Sequence, residues 1–112
     1  MSIGLKSGEK YYQNIIINGA VTELENAVMA FFWEGKVPRM GTLTVTLPDR
    51  NASSLLGERN RQLGLILGAH LSNITGKMAL ISVNFPEELS FEISKTLIDL
   101  ARGLVKKGEE DD

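Results

Sequence analysis

Apolar and polar residues alternate along this chain in two rhythms, a two-residue period in the first half and a helical one through most of the second. In 41–47 (GTLTVTL), Leu43, Val45 and Leu47 alternate strictly with Thr42, Thr44 and Thr46, which predicts a half-buried β-strand. The segments 11–21 (YYQNIIINGAV) and 27–33 (AVMAFFW) are also β-rich, but their apolar residues fall on both faces, as in strands covered on two sides. In the second of these, Phe32 points one way and Phe31 and Trp33 the other, so each face needs a cover. Asn18-Gly19 is read as a bulge inside one long strand, with a tight hairpin turn as the alternative. PDRN at 48–51 is turn chemistry, and SSLLG after it reads as a short strand.

From Glu58 onward the period becomes helical. Leu63, Ile66, Leu67, His70, Leu71 and Ile74 form one stripe, and Gly76 is placed to end the helix as its C-terminal cap. Gly64, Gly68 and Ser72 form a second stripe of small residues at four-residue steps. Each interior glycine costs about 1 kcal/mol relative to alanine, so the stripe implies a second backbone packed closely against it, from the same chain or from another. KMALISVNF at 77–85 is an apolar run of strand length. A last helix starts with Pro86 in its first turn, or behind Ser90 as a cap, and runs to about Lys107. GEEDD at 108–112 reads as a solvated, disordered acidic tail.

At about 100° per residue, the last helix carries two apolar stripes. Leu89, Ile93, Leu97, Leu100 and Leu104 suit one sheet face, while Phe91, Ile98 and Val105 lie roughly 120° further round. So wide an arc exceeds what packing on a single layer requires. The second layer is either the first helix or a partner, and Phe91, Ile98, Val105 and Phe32 are the candidate interface residues. The pattern as a whole predicts a single α+β domain over 1–112, with a largely antiparallel sheet of five to six strands and two α-helices packed on it.

Composition narrows the chemistry. The 112 residues include 12 basic and 14 acidic side chains, scattered rather than bunched, so no footprint for a nucleic-acid backbone exists. There is no cysteine, hence no disulfide, thiolate metal site or cysteine nucleophile, in keeping with a cytoplasmic protein. No run resembles a signal peptide or approaches the roughly 20 apolar residues of a membrane span. His70 is the single histidine and sits on the apolar stripe, so a structural role is expected of it rather than catalysis. NITGKM lacks the glycine and hydroxyl positions of a phosphate loop, with Leu71 and Met78 in their places. No cofactor and no metal are expected, and no enzymatic activity.

The order of a strand ending in Trp33-x-Gly35-x-x-Pro38, a second strand, Ser-x-Leu-Leu-Gly (Ser53 or Ser54, Leu55, Leu56, Gly57), then helix, strand and helix resembles the small proteasome assembly chaperones, the assembly chaperone 4 type in particular. The likeness covers roughly residues 25–107. It implies a non-enzymatic α+β protein that dimerises and acts on proteasome α-subunits or on another assembly chaperone. The dimer would also supply the second cover for 31–33, with Phe31 and Trp33 towards the helices and Phe32 towards a second protomer's sheet, or the reverse. The chain ends Glu110-Asp111-Asp112 and lacks the hydrophobic-Tyr-x tail by which larger assembly chaperones dock on the α-ring, so docking by its own tail is not expected. The residues alone leave open a roadblock- or longin-like dimeric platform and a small-ligand-binding domain.

Overall fold

The computed structural model describes residues 4–110, with side chains through Val105. Its elements are β1 (Leu5–Tyr12), β2 (Ile15–Glu23), β3 (Ala27–Glu34), β4 (Thr42–Thr46), β5 (Ala52–Leu56), α1 (Arg61–Thr75), β6 (Met78–Asn84) and α2 (Glu92–Glu110). The strands form one sheet in the order β1-β2-β3-β6-β4-β5. β6 runs parallel to β3 and antiparallel to β4, and the other pairs are antiparallel. This is the expected α+β architecture, with six strands.

A hairpin divides the segment expected to be one long strand with a bulge. Its turn is at Gln13-Asn14, where Gln13 adopts φ 54°, and β1 and β2 pair in unbroken register through Glu9–Asn18 and Gly8–Gly19. Asn18-Gly19 is therefore neither a turn nor a bulge. A Cβ on Gly19 would lie 3.0 Å from a Leu100 methyl and 3.2 Å from the Phe32 ring. Gly19 thus leaves room for Phe32 to lie beneath α2, and Phe32 is fully buried.

Both helices cover the same face of the sheet. That face carries Ile17, Val21, Val28, Ala30, Phe32, Ile81 and Val83, joined in one core with Leu63, Leu67 and Leu71 of α1 and Ile93, Leu97, Leu100 and Leu104 of α2. Gly76 takes the left-handed conformation (φ 70°) and its N–H donates to the Ser72 carbonyl at 2.8 Å, the expected end of α1. α2 extends through Glu110, past the expected end at Lys107, and Asp111 and Asp112 of the expected tail lie outside the described residues.

β4 is turned the opposite way from the reading its alternation invites. Thr42, Thr44 and Thr46 are buried under α1, whereas Leu43 and Val45 are half-buried on the other face. The small stripe of α1 explains the inversion. A Cβ on Gly64 would stand 3.1 Å from Thr44 Oγ1, and one on Gly68 only 2.5 Å from Thr46 Oγ1. The helix sits so close to β4 that threonine fits beneath it, and the stripe is an intrachain contact. Gly68→Ala is accordingly expected to destabilise the fold by about 1–3 kcal/mol through overpacking. Gly103, whose Cβ would meet nothing within 4 Å, gives the opposite result: Gly103→Ala is expected to stabilise by about 0.5–1 kcal/mol. Urea denaturation of the two variants checks both signs.

Candidate protein interface

With both helices on one face, the other face of the sheet has no layer upon it among the described residues. Register places Met29, Leu80 and Val45 side by side in one row across β3, β6 and β4. The next row runs Ala20, Phe31, Ser82, Leu43 and Leu56 across five strands. Met29, Phe31, Leu43, Val45 and Leu80 are half-buried by their neighbours within the sheet, while Leu47 and Leu56 are exposed. A two-row band in which Met29, Phe31, Leu43, Val45, Leu56 and Leu80 are joined by Ala20 and Ser82, without a charge, is unlike an ordinary solvated sheet face, which alternates apolar-in and polar-out. Apolar patches of this kind mark interaction surfaces.

One end of the band is shaped by the loop between β3 and β4. Gly35 turns the chain at φ 93°, and Asn18 Nδ2 donates to its carbonyl at 2.6 Å. Asn84 Nδ2 donates to the Met40 carbonyl at 3.0 Å, and the Gly41 N–H donates to Ser82 Oγ at 3.0 Å. Held at both ends, the loop folds Pro38, Arg39 and Met40 over Trp33, and with Leu5, Ala20 and Phe31 they line an apolar hollow of about 240 Å³. Trp33 is only 8% exposed, and its Nε1 has no hydrogen-bond acceptor among the described residues. The Trp-x-Gly-x-x-Pro residues are therefore the builders of this loop. Leu55 and Leu56 close β5, and Gly57 turns the chain after them with φ 79° against Thr42, whose Oγ1 donates to the Arg59 carbonyl at 2.6 Å.

The four residues singled out on the sequence part company. Phe32 and Val105 are core residues, fully buried within the chain, and cannot touch a partner of the folded protein. For Phe32 the reason is the space above Gly19. For Val105 it is the packing of α2 against both the sheet and its neighbour α1, which buries a wide arc of the helix that also includes Ala101. Ile98 is half-buried against that core, and Phe91 stands 75% exposed just before α2. Of the two arrangements for 31–33, Phe32 faces the helices and Phe31 and Trp33 the open face.

Sequence reasoning passed over Asn60, which ties the start of α1 to residues 87–89, just before Phe91. Asn60 precedes α1 in the left-handed conformation (φ 61°) and is 3% exposed. Its Nδ2 donates to the Glu87 carbonyl at 2.9 Å, its Oδ1 accepts from the Leu89 N–H at 2.7 Å, and its own N–H donates to both carboxylate oxygens of Glu88 at 3.1 Å. The start of α1 is so knotted to the approach to α2. An Asn after an acidic-basic pair and before a helix was the available signal, but its partners lie nearly thirty residues downstream.

Remaining chemistry is sparse. His70 is exposed on α1 with no hydrogen-bond partner among the described residues, rather than set in the apolar stripe. No group of three or more His, Asp or Glu side chains among the described residues could hold a metal ion, and no described helix is long and apolar enough to cross a membrane.

No family model and no curated protein matches the sequence. The fold does have a counterpart among solved structures. A chain of a chaperone complex for yeast 20S proteasome assembly superposes with a TM-score of 0.72, over 96% of this chain and 98% of that one, at 8% sequence identity. The likeness is one of fold. It spans both chains almost completely.

Proposed function

We propose that the protein is a non-enzymatic assembly chaperone or scaffold that works as a homodimer in the cytoplasm, in proteasome assembly, by binding proteasome α-subunits or another assembly chaperone. The observation that carries this reading is the uncovered apolar face of the sheet on a fold like that of a proteasome-assembly chaperone subunit. Two such faces laid together would form a sandwich with the helices outside, and sheets packed in this way interdigitate their inner side chains about 10 Å apart. The helix side then stays free for the client. Phe91, widely exposed and two residues beyond the Leu89 that Asn60 holds, is the anchor we assign to it, with Ile98 beside the core as support. Aromatic anchors are typical binding hot spots.

Affinity purification of the tagged protein from its native extract, read by mass spectrometry, tests the reading. Recovery of proteasome α-subunits or of their chaperones is expected, and Phe91→Ser is expected to lower that recovery about tenfold or more without changing the protein's own oligomeric state. Recovery of small GTPases instead would point to the dimeric-platform alternative and contradict the proposal.

A further inference from the structure

Between α1 and the β4–β5 hairpin runs a second concavity, which shares only Leu47 with the residues named on the sheet's open face and does not include Phe91. It is an open groove of about 420 Å³, within the usual range of ligand sites. Leu47, Pro48, Leu65 and Ala69 give it apolar walls, and Arg50, His70 and Asn73 give it polar ones. Its two most buried lining residues, Thr46 and Ser72, are 3% and 4% exposed, and the hydroxyl of each lacks a hydrogen-bond partner among the described residues. Both oxygens are themselves closed off from the groove, so its polar contacts come from Arg50, His70 and Asn73.

Charge identifies the kind of partner. In a chain with 14 acidic side chains, none lines this groove. The nearest in sequence, Asp49, is already engaged: its carboxylate accepts from the Asn51 N–H and from Asn51 Nδ2, both at 3.0 Å. By contrast, Arg50 and His70 have no side-chain partner among the described residues. Arg50 also occupies the left-handed region at φ 77°, where glycine or asparagine would be the easier choice. The two hollows that flank the start of α2 are both lined by glutamates, Glu58 and Glu88 in one and Glu34, Glu87 and Glu88 in the other. The groove under the hairpin therefore differs from them in the sign of its charge.

We infer that this groove binds the C-terminal end of a partner polypeptide, with the free carboxylate on the Arg50 guanidinium and the last apolar side chain between Leu47, Pro48, Leu65 and Ala69. A groove open along one side covers only part of its occupant. That suits a chain end whose parent supplies further contacts better than a free small molecule, which must be largely enclosed to bind. Arginine is the side chain best matched to a carboxylate, since its planar fork can engage both oxygens. Leu47 apart, the groove shares no residue named on the proposed dimer and client surfaces, and the inference does not depend on them.

The test is a titration of the isotope-labelled full chain with N-acetyl-Ala-Ala-Leu, as free acid and as C-terminal amide, followed through backbone amide shifts. The free acid is expected to shift residues of the hairpin around 46–52 and of α1 around 65–73. The amide is expected to bind about tenfold or more weakly, and raising the salt concentration should weaken the acid alone. Arg50→Gly removes the cation at a position whose backbone glycine adopts without penalty. That variant should keep the spectrum of the folded protein outside the hairpin and lose about tenfold or more in affinity. Equal binding of acid and amide, unchanged affinity in Arg50→Gly, or shifts confined to other surfaces would each overturn the inference.

Discussion

Val45→Lys is expected to weaken self-association by about 100-fold or more while leaving the chain folded. Val45 lies in the Met29–Leu80–Val45 row of the open face, next to Leu80 and two strands from Met29. In an isolated chain its side chain already meets solvent on one side, so a lysine there can extend its stem over the sheet and keep the ammonium in water. Within a face-to-face pair of sheets the same ammonium would be sealed between apolar layers without a counter-charge. An unpaired buried charge costs about 3–5 kcal/mol, far beyond the loss of a few methyl contacts. Sedimentation equilibrium distinguishes the cases, and circular dichroism of the same samples checks that the variant is folded. A variant that associates as tightly as the parent would remove this face from the interface.

The second large effect is expected at Asn60, and it falls on stability rather than association. Asn60→Leu removes an acceptor from the Leu89 N–H and a donor from the Glu87 carbonyl, and it forces a branched side chain into the left-handed region. Each buried group left unpaired costs about 1–3 kcal/mol, and the conformation adds about 1–2 kcal/mol. A loss of about 3 kcal/mol or more follows, which for a domain of this size lowers the melting temperature by roughly 10–20 °C. Asn60→Gly tolerates the backbone and loses only the side-chain bonds, so it should lie between the leucine variant and the parent. If the leucine variant melts within a degree or two of the parent, the knot contributes nothing to stability.

The two rhythms of the sequence located α1, β6, the body of α2 and the cap at Gly76 because those features depend on residues close together in the chain. β1 escaped notice for a physical reason: Lys6, Glu9 and Lys10 occupy an edge strand and interrupt any apolar alternation. The inversion of β4 shows where alternation stops being informative. A two-residue period says that the strand has two unlike faces, but only the glycines of α1, twenty residues later, decide that threonine goes beneath the helix. Once that is known, Leu43 and Val45 must lie on the open side, and the interface becomes visible. The wide apolar arc of α2 misled in the opposite direction, since the chain's own layers bury Val105. Phe91 alone of the four candidates stands widely exposed, because it lies before α2 rather than on it.

The measurement that bears most directly on the open face is an isotope-filtered nuclear Overhauser experiment on a mixture of methyl-labelled and unlabelled chains. Intermolecular signals are expected at the methyl groups of Met29, Leu43, Val45 and Leu80, with none at Leu67, Leu71 or Leu97 of the inner core. A monomeric sample, or intermolecular signals confined to the helix side, would contradict assembly through the sheet.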